Sequence, residues 1–346
     1  MTCQWRPLCH LVLAFLIFAL PAVMKAQAAP AADHHTHLQS PRAARLLTEG
    51  QISRPGQEKR IETPNTASDL IAALDAAGVQ RAAALSDSYR LGSPFVHISN
   101  EAAEVNAEND WTLHQVELYP KRLVGFCSVN PVRPYALAAI DHCVHIGLRG
   151  GLKLHLANAK FQFDDPNQIQ KLQEVFRQAN RYRMPILIHL RSAEKWDARR
   201  SVRTFMMQVL PLAPEIPVQI AHLGGWGGYD RTTDESISTF IMECEAHPKL
   251  CRHLYFDIAA VVLPSSAADA PPGSDERLLY DEQKDFTEGP ERLAANLRRI
   301  GLNRVLFATD WPVATPKEYA QILRRNLQLT PAEIDEIFGN RAPYFK

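Results

Sequence analysis

The sequence predicts one closed (β/α)8 barrel, the TIM-barrel fold, and three observations predict it. Past residue 31, short apolar runs alternate with helix-like stretches, the pattern of parallel strands joined by helices. Eight such runs can be picked out, which is the number a closed barrel needs. Histidine or aspartate closes four of them on the carboxyl side, the end at which such barrels build their sites. At 346 residues the chain is long enough for a barrel of about 250 residues with additions.

Residues 1–28 are set apart from the barrel. Arg6 precedes an apolar run from Leu11 to Val23, followed by Ala26-Gln27-Ala28, a small-x-small cleavage pattern. This reads as a secretory signal cut after Ala28, since the run is shorter than the roughly 20 residues that span a bilayer. No later segment is long and apolar enough to span. The expectation is therefore a signal peptide over 1–28, a barrel domain over 29–346, and a periplasmic or secreted protein.

The expected strands are Ala32–His37, Ala82–Ser86, Leu123–Val129, Gly151–His155, Ile186–His189, Val218–His222, Leu254–Ile258 and Arg304–Ala308. Between the first two lies a segment with loop character, Gln39–Thr66. Helices are expected over Ser68–Ala77, stopped by Gly78, over Asn100–Tyr119, stopped before Pro120, and over Pro166–Arg181. The stretch Pro264–Glu288, rich in Pro, Ala, Ser, Asp and Glu, reads as a long loop, either a lid over the site or a plain surface excursion.

Composition narrows the function. Hydrophobic residues make up 46% and charged residues 22%, an ordinary globular balance. Loss of the signal removes Arg6 and Lys25 and no acid, so 38 basic residues become 36 against 38 acidic ones. A near-neutral surface gives no footprint for nucleic acid or anionic lipid and points to a small-molecule partner. Apolar helix faces on the barrel exterior suit either a homodimer or simple coverage of the strands. Four cysteines remain after cleavage, Cys127, Cys143, Cys244 and Cys251; they read equally as disulfides, with Cys244 and Cys251 able to close a short loop, or as buried thiols.

The chemistry lies at the strand ends. In the stretch "ADHHTHL", strand alternation sends His35 and His37 to one face and His34 to the other. Met184–Ile188 runs straight into His189, Val218–Ala221 into His222, and Arg304–Thr309 into Asp310. Imidazole and carboxylate gathered at one rim are costly unless paired or bound to an ion, and a metal resolves the cost. Neutral imidazoles and one carboxylate suit Zn, and also Fe, Mn or Co. Arg191 past His189, Trp226 in "GGWGGYD" and Trp311 beside Asp310 are candidates to shape a substrate pocket; loop packing is the competing reading for each. The glycine-rich stretch lacks a P-loop lysine and serine and is not a nucleotide cradle. Asp257, ending the seventh run, reads as structural.

With these residues in place, the phrases "DHHTH", "RLVGFCSVNP", "GLRGGLKLH", "MPILIHL", "IAHLGG", "VLFATDWP" and "IFGNRA" resemble, in this order, the metal-dependent amidohydrolase superfamily. The likeness is to its family-2 branch, which includes aminocarboxymuconate semialdehyde decarboxylase and related hydrolases. The resemblance implies metal ligands at His35, His37, His189 and Asp310. It puts His222 beside the water or substrate, and His222 and Asp310 in the catalytic roles. A metal in such a site polarises substrate and brings the pKa of its water towards about 7. One divalent ion, zinc first, is the expectation. The alternative is two ions bridged by a carboxylated Lys153, with His189 and His222 on the second; otherwise Lys153 or His155 faces substrate.

Three functions follow in order. The first is an exported metal-dependent hydrolase of an amide, ester or lactone in a small molecule. The second is a metal-dependent non-oxidative decarboxylase of a small carboxylic acid. The third is a noncatalytic periplasmic binding protein that keeps the barrel.

Overall fold

The computed structural model describes Met1 and residues 28–50, 63–192 and 196–345. The expected signal peptide lies almost wholly outside the described residues. Eight parallel strands follow one another around a single sheet: β1 Ala32–Leu38, β2 Arg81–Ser86, β3 Leu123–Ser128, β4 Gly151–His155, β5 Ile186–His189, β6 Val218–Ile220, β7 Leu254–Asp257 and β8 Val305–Leu306. The ring closes where His34 N–H donates to the Phe307 carbonyl at 3.1 Å and His37 N–H to the Trp311 carbonyl at 2.8 Å.

Local sequence sets the element ends. Thr66 caps Ala67–Ala77 in a reciprocal box with Asp69, and Gly78 stops that helix at φ 70°, a left-handed value glycine adopts without strain. Asp165 caps Pro166–Arg181, and Pro166 sits where a missing N–H costs nothing. Both strand faces are covered, so the strands read as unbroken apolar runs. Alternation on β2 shows the division: Ala82 and Ala84 belong to the outer core beneath the helices, while Ala83 and Leu85 join Phe126, Leu187, Ala221 and Phe345 inside the ring.

The structure departs from expectation in four places. Pro41–Gly50 is a helix inside the stretch read as loop, since Ala43, Ala44 and Leu47 share one buried face. Strands β6 and β8 are shorter than their apolar runs, because the chain leaves the sheet to turn His222 and Asp310 inward. Helix Glu101–Glu117 is trimmed at both ends. The segment read as a long loop holds a short 3-10 turn, Ser265–Asp269, and a helix, Asp275–Gln283, capped by Ser274. The four barrel cysteines pair as Cys127–Cys143 and Cys244–Cys251. Among the described residues no helix is long and apolar enough to cross a membrane.

Glu108 gives the fold a pH dependence. Its buried carboxyl meets the backbone N–H of Ser40 at 2.8 Å and the Ser40 hydroxyl, and burial raises its pKa from 4.5 to about 7. A raised acid pKa means the folded state holds the proton longer than the unfolded chain does. The stability that this carboxyl contributes is therefore full below pH 4.5 and is lost as pH rises to about 7, by roughly 3 kcal/mol at 1.36 kcal/mol per unit. Glu108→Gln, which mimics the protonated acid, is expected to remove that loss; unfolding at pH 5 and pH 8 measures it, and an unchanged pH slope would refute the assignment.

Candidate metal centre

The site sits at the carboxyl ends of the strands, as a cavity of about 150 Å³. Strand β1 supplies His35 and His37 on one face, and both rings are oriented from behind. His35 Nδ1 lies 3.1 Å from Asp257 Oδ2, and His37 Nδ1 lies 2.6 Å from Asp87 Oδ1. The carboxylates hold their charge at neutral pH, since Asp257 is depressed to about 2 and Asp87 lies below the ordinary range. For Asp257 the depression comes against the pull of burial, through His35 and His222; for Asp87 it comes through Arg90 and His37. Carboxylates only accept, so each imidazole carries its proton on Nδ1 and presents Nε2 to the cavity as a lone pair. His34, on the other face, spends both nitrogens structurally: Nδ1 bonds the Phe307 carbonyl at 2.8 Å, and Nε2 accepts from Ala342 N–H at 3.1 Å.

His222 and Asp310 arrive on strained backbone. Their φ values are 52° and 57°, left-handed for residues with a Cβ, a cost of about 1–3 kcal/mol each that sites commonly carry. Asp257 steadies the first of these bends by accepting the His222 N–H at 2.9 Å. The His222 Nδ1–H donates to the Ala259 carbonyl at 2.6 Å, which again leaves Nε2 for the cavity. Asp33 steadies the second, accepting from Thr309 N at 3.1 Å and from the Thr309 hydroxyl at 2.6 Å one residue before Asp310.

These atoms fit a cation. His35 Nε2 lies 3.1 Å from His37 Nε2 and 3.2 Å from Asp310 Oδ1, and His37 Nε2 lies 3.1 Å from that same oxygen. One ligand atom from each of His35, His222 and Asp310 falls within 4.8 Å of the others. With the Nδ1 protons committed, these are acceptors facing acceptors in a buried place, an arrangement that a positive ion satisfies. Lys153 meets the same demand from the side, its Nζ 2.9 Å from His35 Nε2. Burial lowers that amine to about 8, against the pull of Asp310, Asp257 and Asp87.

A ladder of rings forms the adjoining wall. Tyr89 stacks on His155 at 5.0 Å, His155 on His189 at 4.0 Å, and His189 meets Trp226 at 5.6 Å. His189, expected as a ligand, lines the same cavity, its ring in this wall 5.2 Å from the His222 ring, with a buried Nε2 that has no hydrogen-bond partner among the described residues. Trp226 lines the cavity as expected of a pocket residue. Arg191 stands behind it, stacked at 5.2 Å over the indole and held by Asp230 at 3.0 Å. Trp311 does not line the cavity; its side chain packs into the core.

Sequence reasoning missed Asp87 and Arg90, which sit just past β2 and line the same cavity, 3.0 Å apart. The signal was present: "LSDSYR" places acid and base at a strand's carboxyl end, as with the residues that were found. Asp257 reads as structural, and what it supports is two of the site's histidines.

The amidohydrolase family model matches residues 32–342. Among curated proteins none matches the chain in sequence. Solved structures share the fold. The 5-carboxyvanillate decarboxylase of Sphingomonas paucimobilis superposes with a TM-score of 0.59 at 13% identity, over 92% of this chain and 98% of that one. A 2,6-dihydroxybenzoate decarboxylase gives 0.56 at 12% identity, over 90% and 97%. A zinc-bound amidohydrolase of Burkholderia multivorans gives 0.52 at 15% identity, over 90% and 96%. A match across nearly the whole barrel, in a chain whose histidine and aspartate side chains meet at one rim, makes this protein an enzyme of the amidohydrolase family.

Proposed function

We propose that the protein is a zinc-dependent hydrolase of an ester, amide or lactone in a small anionic molecule. The observation that carries this is the convergence of His35, His37, His222 and Asp310, each presenting an acceptor atom to one cavity. The zinc-bound state of one structural relative supports the choice of metal. A divalent ion held by His35, His37 and Asp310 would supply Lewis-acid polarisation of a substrate oxygen and a more acidic water.

The protein's own groups do the rest. Asp310, beside both β1 imidazoles, accepts the proton of the attacking water and passes it to the leaving group. His222, its Nδ1–H fixed on Ala259, presents Nε2 as a lone pair that accepts a hydrogen bond from that water. Lys153 and Arg90 place positive charge on the β2–β4 side of the cavity, where a substrate carboxylate fits. Trp226 and the stacked imidazoles give a flat wall for an unsaturated body.

Decarboxylation is the second reading. The observation that favours it is the same pair of cations, which would grip a carboxylate next to the metal ligands, and two structural relatives are decarboxylases. Turnover of a panel of small carboxylated esters, lactones and aromatic acids in D2O separates the two. Hydrolysis consumes water and leaves product carbon unlabelled; CO2 release with a new carbon–deuterium bond would overturn the hydrolase reading. Metal analysis of protein purified without chelator is expected to give one equivalent per chain, and two would reassign Lys153 as a bridge. Export to an oxidising compartment suits the two disulfides, and N-terminal sequencing of the mature protein, expected to begin at Ala29, tests it.

A further inference from the structure

Beneath the ligands, on the opposite side of the barrel interior, residues 342–345 fold back under the strands. Phe345 is buried in the inner cluster with Ala32, Ala83 and Leu187, and its ring lies 5.0 Å from the Arg81 guanidinium at the start of β2. Tyr344 packs beside it, against Phe126 at 5.1 Å. This segment enters the ring from the face remote from the cavity, and apolar packing accounts for the phenyl ring. Packing does not account for the Tyr344 hydroxyl.

That hydroxyl begins a polar line through the core. Tyr344 Oη donates to Gln219 Oε1 at 2.6 Å. The amide nitrogen of Gln219 donates to Asp257 Oδ2 at 2.7 Å and to the His34 carbonyl at 3.2 Å. Asp257 Oδ2 accepts in turn from His35 Nδ1 at 3.1 Å, and Oδ1 accepts from the backbone of His222 at 2.9 Å and of Ala259 at 3.2 Å. Gln219, Asp257 and His35 are buried at 1% exposure or less, so water cannot substitute for a lost partner. Donation runs from Tyr344 through Gln219 to Asp257, and His35 and the His222 backbone donate to the same carboxylate from the other side.

We propose that Tyr344 is a positioning residue for the metal centre, acting through Gln219 and Asp257 to fix the tautomer and placement of His35 and the bend at His222. Asp257 and the His34 carbonyl only accept, so they fix the Gln219 nitrogen inward, and the phenol donates to the amide oxygen that this leaves facing the tail. Without the phenol that oxygen is a buried acceptor with no donor, and the amide shifts to find one, drawing its nitrogen away from Asp257. Asp257 then loses a donor and shifts, carrying His35 and His222 with it. Partners of this kind behind a ligating histidine are typically worth about 10–100-fold in metal affinity.

The proposal rests on the metal reading, so its test separates the two. Zinc dissociation constants are measured by chelator competition for wild type, Tyr344→Phe, Asp257→Asn, the double variant and Phe345→Leu. Tyr344→Phe removes one oxygen and is expected to weaken zinc about 3–10-fold, Asp257→Asn about 10–100-fold. The double variant should be no weaker than Asp257→Asn, because the line is already cut. Phe345→Leu should lower Tm yet keep wild-type affinity. Tyr344→Phe within twofold of wild type, or a full additive loss in the double variant, overturns the proposal. If wild type binds no zinc the metal reading fails by itself. The line is then judged by ¹⁵N NMR of the metal-free protein, where the His35 Nδ1–H signature should weaken in Tyr344→Phe and an unchanged spectrum refutes it.

Discussion

Asp310→Asn is expected to cost roughly 10²–10⁴-fold in kcat/KM while the protein remains folded. The two side chains have nearly the same volume, and asparagine tolerates the left-handed backbone at φ 57° better than most residues. What changes is chemistry. An amide takes no proton from water and brings no charge to a bound cation. It also gains an N–H, aimed at His35 and His37 Nε2, where the native oxygen sits 3.2 and 3.1 Å away. One new hydrogen bond among these acceptors is worth about 1 kcal/mol, so the metal-free variant should melt no lower than the metal-free wild type. Loss of rate without loss of fold is the signature of a group kept for function at the expense of stability. Activity within tenfold of wild type would remove Asp310 from the proton path and leave His222 as the acceptor.

The parts legible in the sequence share one physical basis. Strands buried on both faces must be apolar, so any polar residue at a strand end stands out; His35, His37, His189, His222 and Asp310 were visible for that reason. Helix 166–181 was legible to the residue because Asp165 and Pro166 mark its start. Asp87 and Arg90 escape notice although their strand is legible, because they lie past its end on the short helical turn Ser88–Leu91 and its cap, whose direction the pattern does not give. The packing of Trp311 into the core and the support of Trp226 by Arg191 depend on which way a loop turns, and periodicity carries no information on that. The role of Asp257 was hidden in a different way. Its partners, His35, Gln219 and His222, are up to 222 positions away in the chain, and only closure of the barrel brings them to one carboxylate.

Removal of the ion should abolish turnover and lower thermal stability, and both should return with zinc. A ligand that binds only the folded state adds RT ln(1 + [L]/Kd), about 4 kcal/mol at a thousandfold excess over Kd, which for a domain of this size raises Tm on the order of 10 °C. His35 adds a second pH dependence to the metal-free protein. Burial and the neighbouring Lys153 lower its pKa from 6.5 to about 4, so the folded state binds fewer protons than the unfolded chain between those values. The contribution of His35 to metal-free stability therefore rises from pH 4 to pH 6.5, opposite in sign to that of Glu108, and is lost as pH falls through that window. Because ligation needs the neutral ring, the same lowered pKa keeps the site ready for an ion in mild acid, where a free imidazole would be protonated. Calorimetry with and without zinc at pH 5 and pH 8 should show a rise in Tm at both. An ion that leaves Tm unchanged at pH 8 would mean that the four converging side chains hold no metal, and the acceptor cluster would then need a cation of the protein's own, with Lys153 the nearest.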